Sequence, residues 1–249
     1  MADTSLAEWQ AGREYWQLRS APVYRGEGVP KGDGMPVLVI PGLMGNDLYL
    51  RTMRQWLRRM HYQPLPSSIL WNAGCPKRLV ADAERPLRRL LDSSDAPVAI
   101  VGHSRGGLLA KALASKYSQR VVKLVLIGSP LGGMLQAGRD GMQGYAQQMG
   151  DADTGSRRML FNASRNLTRL LDPGCKSPLC DCEFVDLVFT PPGETLSVTS
   201  LYSPTDPIVP QAMSQMPYGD NIEVSGTHGG LMFNAVVFEH LARILAASP

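Results

Sequence analysis

The sequence predicts an α/β fold built on a mostly parallel sheet, and three observations predict it. Short apolar runs at residues 35–40, 97–101 and 121–127 are continuous rather than alternating, which suits strands covered on both faces. Stretches with helical spacing of apolar residues lie between them. The alternation of strand and helix then implies parallel strands joined by right-handed crossovers.

Each element follows in order. Residues 5–19 read as an amphipathic helix with Leu6, Trp9 and Trp16 near one side, and residues 20–35, rich in Pro and Gly, as a loop. The first strand, 35–40, stops at Pro41 and Gly42. Residues 47–60 have helical spacing, with Leu48, Met53, Trp56, Leu57 and Met60 apolar. A short strand is expected at 69–71. Residues 78–91 form a helix interrupted by Pro86. The strand at 97–101 leads into a Gly-rich turn at 102–107 and a helix at 108–117. Further strands follow at 121–127, 196–202 and 221–224, and residues 232–247 close the chain as a helix. The total is about six strands flanked by helices. Residues 129–195 break the rhythm, being too long for a simple crossover. We expect one domain over 1–249 with residues 131–195 inserted as a helical cap, including a helix at 157–171.

Composition narrows the function classes. The formal net charge is only +3, and no Lys/Arg cluster with interleaved aromatics marks a nucleic-acid surface. The apolar run at 121–127 contains Lys123 and is far short of the roughly 20 residues a membrane span needs. The first 20 residues carry Asp3, Glu8, Arg13 and Glu14 and have no apolar core, so no secretory signal is expected and the chain is expected in the cytoplasm. Of the cysteines, Cys175, Cys180 and Cys182 cluster while Cys75 stands apart. Their spacing matches neither a zinc finger nor a redox Cys-x-x-Cys motif, so no metal is expected. Reduced thiols, a local disulfide and a bridge from Cys75 to the cluster all remain open.

The chemistry concentrates in the pentapeptide Gly102-His-Ser-Arg-Gly106, which fits G-x-S-x-G between an apolar strand and an Ala/Leu-rich helix. Side chains at Gly102 and Gly106 would clash where strand and helix cross, and the sharp turn would lift the Ser104 hydroxyl clear of the sheet. A serine hydroxyl needs a base. His103 is adjacent but directed elsewhere, His61 precedes the serine, and His240 lies within the last helix. His228, in the loop after the last strand, has the right chain position. Asp206, in Tyr202-Ser-Pro-Thr-Asp-Pro-Ile-Val-Pro210, lies between them after a strand and would orient His228. Beside Pro207 it also reads as a turn former. Asp220 is its rival, nearer His228 in sequence but ahead of the last strand. Donors for a developing oxyanion are expected from the backbone N–H groups of Arg105 and of Leu43, in Pro41-Gly-Leu-Met-Gly45.

These segments resemble the α/β-hydrolase superfamily, and more narrowly its bacterial lipase/esterase-like members, over about residues 35–247 outside the cap. The resemblance implies hydrolysis of carboxylic esters through an acyl-enzyme on Ser104, with no cofactor and a small-molecule ester or lipid-like acyl substrate. Pro41 stands where many members have His, and lipase-like members often carry Pro there. Substrate contacts are expected from Met44, His103 and the cap's Leu167. The methionines Met134, Met142, Met149 and Met159 suit either an adaptable acyl pocket or the cap's own core. An acyltransferase, a thioesterase and a non-catalytic binding relative share the scaffold.

Overall fold

The computed structural model describes residues 12–150, 155–176 and 182–248. The expected first helix is present over residues 12–20 (α1), and its residues 5–11, with Leu6 and Trp9, lie outside the described span. A short helix α2 (Pro22–Arg25) follows, then β1 (Pro36–Ile40), α3 (Arg51–Arg59), β2 (Gln63–Leu65), α4 (Pro76–Ser93), β3 (Val98–His103), α5 (Arg105–Lys116) and β4 (Val121–Ile127). Four helices fill the interval before the next strand: α6 (Leu131–Ala137), α7 (Met142–Gly150), α8 (Gly155–Leu171) and α9 (Glu183–Phe189). The chain ends with β5 (Ser197–Tyr202), α10 (Gln211–Ser214), β6 (Asp220–Glu223), a 3-10 turn (Gly230–Phe233) and α11 (Ala235–Ala246).

The strands form one sheet in the order β2-β1-β3-β4-β5-β6, and every described pair is parallel. Alternate side chains of β1 serve opposite faces. Leu38 and Ile40 join a core with α4, α5 and α9, through Leu79, Leu109 and Phe184. Val37 and Val39 join the other core, with Trp56 of α3 and Phe238 of α11. Burial on both sides explains the unbroken apolar runs. Trp56 and Phe238 meet edge-to-face at 4.8 Å, and the Trp56 indole donates to the Val23 carbonyl at 2.8 Å, binding α2 to this layer.

Three local expectations need correction. The edge strand is Gln63–Leu65, paired with Pro36–Leu38, not 69–71. Pro64 argues against a strand by composition, yet an edge strand tolerates a missing N–H. Residues 69–71 instead form a loop in which Ile69 is buried and Leu70 is 91% exposed. Asp47 does not begin α3. Its carboxylate accepts from the Ser67 and Ser68 amides at 2.8 and 3.0 Å and pins that loop. Pro86 does not interrupt α4, because Leu79, Ala83 and Leu87 form a buried i, i+4 stripe through it. Packing of that stripe offsets the lost hydrogen bond.

Lys123, the cation inside β4, also has a structural use. Its ammonium donates to the carbonyls of Ile244 and Leu245 at 2.8 and 2.9 Å, and to that of Ala247. These are among the last carbonyls of α11, which have no partner within the helix. Lys123→Met should therefore lower unfolding free energy by about 2 kcal/mol. Urea denaturation checks this, and an unchanged midpoint would contradict the capping role.

Candidate active site

Because all six strands run in parallel, their carboxyl ends share one edge, where open α/β sheets bind ligands. Ser104 stands there between β3 and α5 with φ 52° and ψ −127°. This is a left-handed conformation that a non-glycine residue adopts only when its surroundings force it. The force is visible. A Cβ on Gly102 would lie 2.6 Å from the Gly107 Cα, and one on Gly106 would lie 2.4 Å from the Pro41 carbonyl oxygen. The Ser104 amide donates to Ile127 O and its carbonyl accepts from the Gly107 amide, both at 2.9 Å.

His228, Asp206 and Ser104 come together although 124 residues separate the first and last. His228 Nδ1 lies 2.6 Å from Asp206 Oδ2, and His228 Nε2 lies 2.9 Å from Ser104 Oγ. A carboxylate only accepts, so Nδ1–H donates to Asp206, leaving the Nε2 lone pair to accept from the Ser104 hydroxyl. The Asp206 side chain is 1% exposed. Its Oδ1 accepts from the amides of Ile208 and Val209 at 2.8 and 2.9 Å. Asp206 is thus a turn former with one oxygen and a histidine partner with the other. Asp220 is exposed at the start of β6, the opposite end of the strand from His228.

Sequence reasoning missed the anchors of the two flanking loops. Asn72 is fully buried and bonded on all sides. Its Nδ2 donates to Pro41 O at 2.6 Å and its amide to Gly45 O at 2.9 Å. Its carbonyl accepts from the Met44 amide at 3.0 Å, and both its oxygens accept from the Arg105 guanidinium at 3.2 Å. One residue therefore ties the 41–45 loop to the first residue of α5. The Leu43 amide donates to no backbone carbonyl among the described residues. The Arg105 amide, at the first turn of α5, has no intrahelical acceptor.

The His228 loop is held by distant groups. Glu14 of α1 accepts from the Thr227 amide at 3.3 Å and the Thr227 hydroxyl at 3.1 Å. The Tyr49 hydroxyl donates to Gly229 O at 3.1 Å. His103 Nε2 donates to His228 O at 3.1 Å, which leaves the lone pair on its buried Nδ1. Burial, reinforced by nearby His228, pushes the His103 pKa down to about 3. No periodicity signals contacts of this kind, since Glu14 and Thr227 are 213 residues apart.

A cavity of about 150 Å³ opens beside Ser104 and Arg105. Leu43, Leu108, Met134, Phe161 and Phe184 line it with mostly apolar surface. From α8 the lining residues are Arg157, Phe161, Ser164, Arg165 and Thr168, one helical face. Leu167 falls on another face and does not line the cavity, and neither do Met44 and His103. Met44 is 46% exposed outside it, and His103 is buried beneath the turn. The Met149 side chain and the structure around Cys180 lie outside what is described, while Cys75 and Cys182 are free thiols, so no bridge from Cys75 to the cluster is formed among the described residues.

A family model described as the alpha/beta hydrolase fold matches residues 76–168. The chain has the α/β-hydrolase fold. No curated protein matches the sequence significantly. Among solved structures, a lipase-esterase related protein from Clostridium acetobutylicum is similar at TM-score 0.51 and 13% identity, over 87% of this chain and 97% of that one. The metagenomic carboxyl esterase MGS0156 is similar at 0.50 and 13%, over 88% and 75%. A protein assigned as a non-haem bromoperoxidase from Mycobacterium tuberculosis is similar at 0.50 and 17%, over 87% and 93%. Likeness at these identities concerns the fold alone. Among the described residues of this α/β-hydrolase-fold chain, no helix is long and apolar enough to cross a membrane.

Two outcomes follow from the loop anchors. Glu14→Ala should lower kcat for any reaction that uses His228 by roughly tenfold while changing KM little, since it loosens the loop and not the cavity. A thermal melt and steady-state kinetics check this, and unaltered kcat in the folded variant would contradict it. The second concerns pH. His103 is neutral when folded, but unfolded it protonates below about pH 6.5. Its contribution is complete above that pH and is lost as pH falls toward about 3. Between pH 7 and pH 5 the chain should lose about 2 kcal/mol more stability than His103→Gln does. Equal losses by urea denaturation would contradict the assignment.

Proposed function

We propose that this chain is a serine hydrolase that cleaves carboxylic esters through an acyl-enzyme on Ser104. The observation that carries the reading is the continuous hydrogen-bonded run from Asp206 through His228 to Ser104, beside an apolar cavity. In the proposed reaction, His228 Nε2 takes the hydroxyl proton as Ser104 Oγ attacks the ester carbonyl carbon. Asp206 stabilises the imidazolium without itself taking a proton. The Leu43 and Arg105 amides donate to the oxyanion, at a helix N-terminus whose dipole favours negative charge. The intermediate collapses, His228 gives its proton to the departing alkoxide, and the alcohol leaves. Water then attacks the acyl-enzyme with His228 as base, regenerating Ser104 and releasing the acid. No step calls on a cofactor. Residues 131–195 act as a cap, and the face of α8 toward the cavity sets acyl-chain preference. The esterase neighbours agree with the fold this chemistry uses, and the reading itself rests on the site.

The test is a panel of p-nitrophenyl and CoA acyl esters of graded length. Ser104→Ala and His228→Ala should each lower kcat by about 10⁴ or more, and Asp206→Asn by about 10³ to 10⁴. Asp220→Asn should stay within about twofold of wild type, because its side chain is remote from His228. A fluorophosphonate probe should label Ser104 and leave Ser104→Ala unlabelled. Labelling elsewhere, or Asp220→Asn proving the more damaging, would overturn the assignment. Turnover appearing only with an added alcohol or thiol acceptor would identify an acyltransferase.

A further inference from the structure

Arg105, the residue after Ser104, carries a positive charge whose side-chain hydrogen bonds, among the described residues, reach no carboxylate. Its guanidinium donates to Asn72 O, Asn72 Oδ1 and Gly74 O, at 3.2, 3.2 and 2.6 Å, all of them neutral acceptors. Among the described residues, the ionisable groups that act on it are the thiols of Cys175 and Cys75. Burial pulls its pKa down to about 10, so it remains protonated at neutral pH. A charge partly withdrawn from water is costly unless it is paired. This one lines the cavity.

The same cavity gathers two more cations. Arg157 and Arg165 line it from α8, and among the described residues neither Asp nor Glu does. Arg157 Nε donates to Ile208 O at 3.0 Å, which fixes that side chain at the cavity edge. Helix α8 carries Arg157, Arg158, Arg165 and Arg169 with no acidic residue. An exposed arginine such as Arg165 could be solvated and nothing more. Arg105 is half-buried and less open to that solvent than Arg165, and an uncharged ester in the cavity would leave its charge to neutral acceptors alone.

We infer that the preferred substrate is an acyl ester bearing an anionic group, a carboxylate, sulfate or phosphate, whose charge Arg105, Arg157 and Arg165 answer. This rests on the ester-hydrolase reading for the word ester, and on the cavity's charge for the word anionic. The apolar lining takes the hydrocarbon portion. The anion is distinct from the oxyanion formed during turnover, which the backbone amides receive.

Binding to full-length Ser104→Ala separates the two readings, since it needs no turnover. Calorimetry compares matched short-chain pairs. One pair places the anion on the acyl side: the monomethyl ester of a dicarboxylic acid against its dimethyl ester. The other places it on the alcohol side: an acylglycerol phosphate against the acylglycerol. The expected result is at least tenfold tighter binding of the anionic member in one pair, which identifies where the anion sits. That advantage should shrink severalfold between low and high salt, and disappear in Ser104→Ala/Arg105→Met. Should Arg105→Met fail to fold, Arg157→Gln/Arg165→Gln carries the test, with a loss of at least half the advantage expected. Equal or weaker binding of both anionic members, or an advantage insensitive to salt and to these substitutions, overturns the inference. If wild type binds the anionic ester but cleaves neither member, the hydrolase reading fails and the charge inference stands. If it cleaves both equally and binds both equally, the reverse holds.

Discussion

Where β3 turns into α5, backbone packs directly on backbone. Gly102, Gly106 and Gly107 leave no room for a Cβ against one another, against Pro41 or against the Ser129 side chain. That approach forces Ser104 to φ 52°, a cost of roughly 1–3 kcal/mol that only an over-determined setting sustains. The setting is the sheet itself. Ser104 takes its amide bond from the end of β4, and Gly106 presses on the end of β1. The position of the hydroxyl is therefore decided by three strands and a helix, and its partners need only reach it from loops.

Those loops are less secure by nature, and each is fastened by groups far away in sequence. Asn72 joins the 41–45 loop to Arg105, using both its side-chain polar atoms and its main-chain ones. Glu14, Tyr49 and His103 hold residues 227–229 from a helix, a loop and a strand. His103 belongs to the same strand end as Ser104, so the His228 carbonyl is referenced to the turn that carries the hydroxyl. The two clamps meet in residues 41–50, which supply Leu43 to one side of the cavity and Tyr49 to the histidine loop. Burial also holds the Tyr49 phenol in its neutral, proton-donating form, and the nearby Glu14 carboxylate adds to this.

What was legible in the sequence is what physics writes locally. β1, β3 and β4 announce themselves because burial on both faces demands unbroken apolar runs. The glycines at 102 and 106 are readable because a crossing backbone excludes side chains. The chain order of Ser104, Asp206 and His228 is readable because parallel strands deliver their following loops to one edge. What depends on tertiary packing was read wrongly: the place of the edge strand, and an interruption of the helix read at 78–91. β2 contains Pro64 and survives as an edge, and α4 contains Pro86 and survives through its buried stripe. Leu167 was expected at the cavity for its apolarity, yet helix phase turns residues 161, 164, 165 and 168 inward. Asn72 and Glu14 carry no pattern at all, because a hydrogen bond between distant residues leaves no periodic trace.

The residue after Ser104 shows how one position separates fold-level chemistry from what is particular to this chain. Its amide sits at the first turn of α5 and would donate to an oxyanion whatever side chain it bore. The side chain is thus unconstrained by that duty. Here it is an arginine that reaches to Asn72 and Gly74, tightening the loop that carries Leu43. The same residue lines a mostly apolar cavity, where Arg157 and Arg165 add positive charge from α8. Relatives by fold include a carboxyl esterase and a protein assigned as a bromoperoxidase, so the scaffold does not select the substrate. Under the anionic-substrate inference, selection would fall to side chains that the fold leaves free to vary, Arg105 after the nucleophile turn and Arg157 and Arg165 on α8.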